Sequence, residues 1–265
     1  MRNVRALISY DGSKFFGWQR QEGFYSVQQA MEEALAALTG QTVVVHGSSR
    51  TDSGVHALGQ VAHFRVDTRI TDERLRHALN FHLSEGVAIR RLETAPEDFH
   101  ARFSALGKRY MYAVRTTRFR SPFGPTLAHW VPQPLNLQAM REAASVLRGR
   151  HDFGAFATSG SPRSSNVRTL RSLHFIARHE RLALVVEGDG FLYNMVRTIA
   201  GTLIEVGKGS LAPADMARIL ASRDRSEAGP TAPPGGLYLV SVRYPERIFR
   251  GRDRAGRGAP GVFAH

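Results

Sequence analysis

The chain has 265 residues, and 42% hydrophobic with 22% charged residues excludes a disordered or fibrous protein. It has no cysteine, which excludes disulfides, Cys-ligated zinc, iron–sulfur clusters and thiol nucleophiles. Lys and Arg number 36 against 23 Asp and Glu, a net charge of +13 carried almost entirely by arginine, since Lys14, Lys108 and Lys208 are the only lysines. Such a surplus points to a polyanionic partner, nucleic acid first, because the guanidinium fork grips phosphate bidentately and stacks on bases.

Arg2 to Tyr10 alternates as a strand does and ends in the turn pair Asp11-Gly12. Ser26 opens a helix over Val27 to Leu38, with Val27, Ala30, Met31, Ala34, Leu35 and Leu38 on one face and Gly40 as its stop. Thr42 to His46 reads as a short strand, Gly47 to Gly59 as a Gly/Ser-rich loop and Gln60 to Val66 as a strand. Thr71 caps a second helix to about Leu83, and Val87 to Leu92 closes a β-α-β-β-α-β series. The order recurs approximately after residue 105. It comprises a strand from Lys108 to Thr116, a helix from Asn136 to about Leu147, and paired strands at Leu170 to Arg178 and Leu182 to Gly188. A helix from Gly190 to Val206, a short one from Pro213 to Ala221 and a last strand from Gly236 to Tyr244 complete it.

The expected class is α+β: two tandem β-α-β-β-α-β (ferredoxin/RRM-like) halves, residues 1–105 and 106–245, forming a continuous, mostly antiparallel sheet with a central basic cleft. Residues 246–265 form a basic tail with five Arg and four Gly, and Ser159 to Asn166 is a small, polar loop. No apolar run approaches the roughly 18 residues of a membrane span, and no signal peptide pattern is seen, so the expected location is the cytoplasm.

The segment Gly47 to Gln60, G-S-S-R-T-D-S-G-V-H-A-L-G-Q, is longer than a hairpin requires and sets one carboxylate, Asp52, among small residues beside Arg50. Two readings are open. Asp52 is a positioned nucleophile or base kept ionised by Arg50, or it caps a short helix at Ser53 or pairs with Arg50 in a turn. Tyr110 and Tyr112 alternate with Arg109 and Met111, which suits either a core strand or base stacking. Arg197 follows the apolar Phe191 to Val196 stretch and needs a partner there, since an unpaired buried charge is costly. The eleven histidines form no metal-ligand spacing. Gly207-Lys208-Gly209-Ser210 lacks the adjacent Lys-Ser of a phosphate loop, and Gly188-Asp189-Gly190 lacks a third dinucleotide glycine. No cofactor or metal is therefore expected.

Six segments together resemble the tRNA pseudouridine synthase A (TruA) family. They are Y-D-G-x3-F-G-W-Q-R-Q (Tyr10 to Gln21), R-T-D-S-G-V-H-A-L-G-Q (Arg50 to Gln60), F-H-A-R-F-S-A (Phe99 to Ala105), K-R-Y-M-Y (Lys108 to Tyr112), F-L-Y-N-M-V-R (Phe191 to Arg197) and A-P-P-G-G-L-Y-L-V-S-V-R-Y-P (Ala232 to Pro245). The resemblance implies isomerisation of uridine to pseudouridine at positions 38, 39 and 40 of the tRNA anticodon stem-loop, by a homodimer. It implies Asp52 as nucleophilic aspartate, Tyr110 as the tyrosine stacked on the target base and Arg197 as the basic residue paired with the aspartate. Arg50 is implied as the arginine of base flipping and Leu237 as an apolar residue of the pocket floor. Ser49 and Ser53 stand where the family commonly has Gly and Ala, so Ser49 is strained if its position requires a positive φ. Asp52 would act at C1′ or C6 of the uridine, or on a ribose proton. A non-catalytic RNA-binding protein would not need Asp52, and a glycosidase usually needs a second carboxylate about 5–9.5 Å away, which the loop lacks.

Overall fold

The structure is a computed structural model that describes residues 1–158 and 165–249. Most of the Ser159 to Asn166 loop and of the basic tail thus lies outside the described residues. In chain order the elements are β1 (Arg2–Tyr10), α1 (Val27–Thr39), β2 (His46–Gly47), β3 (His56–Val66), α2 (Asp72–His82), β4 (Val87–Thr94), β5 (Gly107–Arg115), β6 (His129–Trp130), α3 (Leu137–Ser145), β7 (Gly149–Asp152), β8 (Val167–Arg178), β9 (Arg181–Gly188), α4 (Met195–Lys208), α5 (Asp215–Ser222) and β10 (Leu237–Arg243). The class is α+β with mixed pairing. β10 runs parallel to β3 and β6 parallel to β5, and the other described pairs are antiparallel. The chain forms two compact units: residues 1–106 with 238–249, and residues 107–237.

In the first unit β1 lies between β4 and β3, and β3 pairs on to β10 and to the short β2. Alternation on β1 sends Val4, Ala6 and Ile8 to one face, in register with Phe64, Ala62 and Gln60 of β3. The buried stripes of α1 (Val27, Ala30, Met31, Ala34, Leu35) and α2 (Leu75, Leu79) join this core. On the opposite face Leu7 and Val61 pack with Phe99, Ala101, Val242 and Tyr244. β3 is thus covered on both sides. Ser26 Oγ accepts from the Gln29 N–H at 3.2 Å to start α1, and Gly40, at φ 69°, ends it in the left-handed conformation that glycine adopts without strain.

Three boundaries lie four or more residues from the sequence reading, each for a local reason. The strand expected over Thr42 to His46 shrinks to β2, because the Val45 N–H is taken by the Glu32 side chain at 3.1 Å. β3 begins at His56, because His56 and Ala57 pair with Tyr238 and Leu239. Gly59 therefore lies in a strand, where a Cβ would stand 2.4 Å from the Val240 carbonyl oxygen. The helix expected from Gly190 starts at Met195, because Asn194, at φ 61°, breaks the right-handed path.

In the second unit β9 lies between β5 and β8, with β7 outside β8. β6 and β7 carry no alternation that the sequence reading detected. α4 is buried nearly all round, and α3 packs against both α4 and α5. At Gly201 an added Cβ would lie 1.8 Å from the Pro230 carbonyl oxygen, so α4 is pressed directly against the chain that leads to β10.

Candidate active site

Asp52 sits half-buried in the loop between β2 and β3. The loop is held at almost every residue. Trp18 donates its backbone N–H to the Thr51 carbonyl at 3.0 Å, and Tyr10 Oη shares a 2.7 Å hydrogen bond with Thr51 Oγ1. A Cβ on Gly17 would lie 2.5 Å from the Thr51 carbonyl oxygen, one on Gly12 2.1 Å from that of Val55, and one on Gly47 2.4 Å from the Trp18 ring. Glycine is required at these positions by close approach. The Val55 N–H closes a turn on the Asp52 carbonyl at 3.1 Å, with Gly54 at φ 79°. The Y-D-G-x3-F-G-W and R-T-D-S-G segments are therefore two sides of one clamp.

The third side is Gln60, fully buried on β3. Its Oε1 accepts from Ser48 Oγ at 2.7 Å and from the Ser49 N–H at 3.3 Å, and its Nε2 donates to the Ser49 carbonyl at 2.7 Å. Ser49 does not adopt a positive φ, so the strain considered for a serine at this position is absent. Its hydroxyl, however, is buried without a hydrogen-bond partner among the described residues. Arg50 is exposed, and no helix starts at Ser53. Asp11 holds a short turn, accepting from the Ser13 N–H at 3.0 Å.

Tyr110, Arg197 and Leu237 belong to the second unit. Tyr110 is buried on β5, edge-to-face with Phe191 at 5.1 Å between ring centroids. Arg197, in the first turn of α4, donates from Nε to the Ala232 carbonyl and from Nη1 to Asn194 Oδ1, both at 2.8 Å. Two of its five N–H donors are so fixed, which aims the rest of the fork. Leu237, buried, begins β10 directly after the 3₁₀ turn Pro234–Gly236.

Tyr112, which the sequence offered for a core strand or for base stacking, and Asn194, which sequence reasoning missed, hold these in place. Tyr112 donates its phenol to the Pro233 carbonyl at 2.8 Å and lies under Gly236, where a Cβ would come within 2.7 Å of its ring. Burial pushes its pKa upward, with Arg197 a smaller opposing influence, so the phenol stays a neutral donor. Arg197 and Tyr112 thus grip the Ala232–Leu237 segment at adjacent carbonyls. Asn194, in its left-handed conformation, orients Arg197 and donates from Nδ2 to Thr158 Oγ1 at 2.9 Å. An Asn ahead of an apolar helix was the available signal for it.

Among the described residues no three His, Asp or Glu side chains group to hold a metal ion, and no helix is long and apolar enough to cross a membrane. The sequence model of a family described as tRNA pseudouridine synthase matches residues 6–104 and 143–245. A tRNA pseudouridine synthase A of Thermoanaerobacter sp. (strain X514) is 43% identical over 244 residues, 92% of this chain and 100% of the relative. One from Acetivibrio thermocellus is 44% identical with the same coverage, and one from Agrobacterium fabrum is 42% identical over 94% of both chains. Motifs, clamp and full-length similarity agree: the chain belongs to the tRNA pseudouridine synthase A family.

Proposed function

We propose that this protein isomerises uridine to pseudouridine at positions 38, 39 and 40 of the tRNA anticodon stem-loop, with Asp52 as the nucleophile. The observation that carries the reading is the clamped loop. Tyr10, Trp18 and Gln60, with three close-approach glycines, fix the backbone around one half-buried carboxylate. Pre-paid positioning of this kind is what a covalent mechanism needs. The reaction breaks the C1′–N1 bond, rotates the uracil and joins C1′ to C5. Atoms and electrons are conserved, so the chemistry asks for a placed carboxylate and a dry pocket rather than a redox or group-transfer partner.

The remaining roles follow the family resemblance. Tyr110 stacks on the target base, Arg50 displaces it from the helix, Arg197 supplies the cation for the aspartate, and Leu237 lines the pocket floor. Flipping a base costs a few kcal/mol, and stacking worth roughly 1–3 kcal/mol offsets much of that. The enzyme acts as a homodimer in the cytoplasm. Asp52→Asn and Asp52→Ala are expected to abolish pseudouridine formation in an anticodon stem-loop transcript, mapped by carbodiimide modification, while tRNA affinity stays within about threefold. Wild-type activity in Asp52→Ala would sink the proposal. Loss of uracil or strand cleavage by the wild-type protein would instead indicate a hydrolase.

A further inference from the structure

β5, β9 and β8 place three arginines in one row across the sheet of the second unit. Arg115 is in register with Arg181, and Arg181 with Arg178. Directly paired residues share a face, and neighbouring strands lie about 4.8 Å apart, so three guanidinium stems leave one face within roughly 10 Å. Like charges directly opposite one another destabilise a sheet. Elsewhere on this face the sequence avoids the penalty: Arg109 is in register with Glu187 and forms a 2.7 Å ion pair with it. At the other end it accumulates like charge instead.

A cavity of about 480 Å³ opens at that row. Besides the three arginines it is lined by Thr117, Ser121 and Phe123 and by the β8–β9 turn, His179-Glu180, where His179 takes a left-handed φ of 51°. Glu180 is the one carboxylate in the lining. The wall opposite is ordered. Thr117 accepts from Trp130 Nε1 at 2.9 Å, Ser121 Oγ bonds to both the carbonyl and the N–H of Phe123, and Arg115 Nη1 reaches the Phe123 carbonyl at 3.4 Å. Phe123 is nonetheless 83% exposed and Phe119 74%. Arg118 lies over the Phe119 ring and Arg120 over Trp130, at 5.3 and 5.1 Å. Arg178 and Arg181 have intramolecular contacts as well. It is their register, and the cavity in front of them, that mark the place.

Clustered guanidiniums recognise phosphodiester oxygens, hydroxyls bond to phosphate and sugar, and an exposed aromatic ring stacks a base. The volume falls within the range of a small-molecule site and accommodates a nucleotide unit. We propose that this cavity is an auxiliary RNA-contact site that holds the tRNA backbone away from the target uridine. The proposal rests on the tRNA-modifying function argued above. The site is separate from that of the reacting base: Arg115 and Tyr110 lie on opposite faces of β5 and about 17 Å apart along it. It therefore serves affinity, not the chemical step.

The test compares wild type with an R115Q/R178Q/R181Q variant, its Arg→Lys counterpart, F123A and R178E. Full-length tRNA binding is measured across a KCl series and pseudouridine formation at saturating tRNA. In the Gln variant Kd and KM are expected to rise about 10- to 100-fold, and the slope of log K against log salt to become shallower by about two to three, with kcat within about twofold. The Lys variant should keep the slope, and F123A should weaken binding about fivefold without altering it. R178E, a single change at an exposed residue, gives the same reading as a roughly tenfold loss should the triple variant unfold. Unchanged affinity and slope in the folded Gln variant and in R178E would overturn the site. A changed sedimentation coefficient with unchanged tRNA affinity would too, since it would mark a contact between copies of the chain; so would binding of mononucleotides alone. Should the wild type make no pseudouridine while the variants still lose tRNA affinity, the functional reading fails and the site stands.

Discussion

Ser49 and Gln60 show what single atoms do in the aspartate loop. The Ser49 backbone is bound on both its N–H and its carbonyl by the Gln60 amide, while its hydroxyl is buried without a partner among the described residues. A buried unsatisfied polar group costs about 1–3 kcal/mol. Ser49→Ala removes that cost and leaves both backbone bonds intact, and the residue's φ does not call for glycine. It is expected to raise unfolding stability by about 1 kcal/mol in urea titrations. A less stable variant would mean that the hydroxyl has a partner in solution. Gln60→Leu does the reverse. It keeps the volume but strands the two Ser49 backbone groups, an expected loss of about 2–4 kcal/mol. Against a typical total of roughly 5–15 kcal/mol the protein should still fold. Its loop should sit less accurately, and small misplacement costs rate more than binding. Single-turnover pseudouridine formation should fall about 10- to 100-fold with tRNA Kd near wild type. Wild-type turnover in a folded Gln60→Leu protein would remove Gln60 from the positioning of Asp52.

At the scale of elements, β2, β3 and the turn after β4 bring His46, His63 and His100 together, with ring centroids 4.4 to 5.7 Å apart. Burial, then the neighbouring His100 and His46, push the His63 pKa down from 6.5 to about 4; burial lowers that of His100 as well. His63 Nδ1 accepts the Ala101 N–H at 3.2 Å, a bond that protonation would break. Between pH 6.5 and 4 the unfolded chain therefore binds more protons at this residue than the folded one. The stability from neutral His63 is complete above pH 6.5 and declines as pH falls toward 4, by up to about 3 kcal/mol. Urea titrations at pH 7.5, 5.5 and 4.5 should show this decline in the wild type and a flatter one in His63→Gln. Parallel curves would refute it. This cluster was not legible in the sequence, where spacing along the chain revealed pairs and not a triad assembled by register. What was legible was local: the β1 alternation, the Ser26 and Gly40 caps of α1, and a Gly/Ser-rich loop around a lone carboxylate. What was not depended on distant partners. Glu32 takes the Val45 N–H, Asn194 delays α4, Tyr112 holds Pro233, and β10 runs parallel to β3.

For the whole molecule the dominant quantity is charge. A net charge of +13 implies that tRNA affinity comes largely from counterion release along the phosphate backbone. With six or more phosphate contacts, affinity should fall on the order of 10³-fold between about 50 and 200 mM salt. Composition adds a second, sharper expectation. All but three of the 36 basic residues are arginine, and guanidinium keeps its charge at every pH at which the protein is folded. A lysine-based surface would begin to lose contacts as pH approaches 10. Here the slope of log K against log salt should be the same at pH 7.5 and 9, above the range in which the histidines titrate. Filter binding with one tRNA at both pH values decides it. A slope that flattens by one or more at pH 9 would assign the phosphate contacts to Lys14, Lys108 and Lys208. A slope shallower than about −2 at both would mean that the arginine surplus serves something other than the RNA backbone.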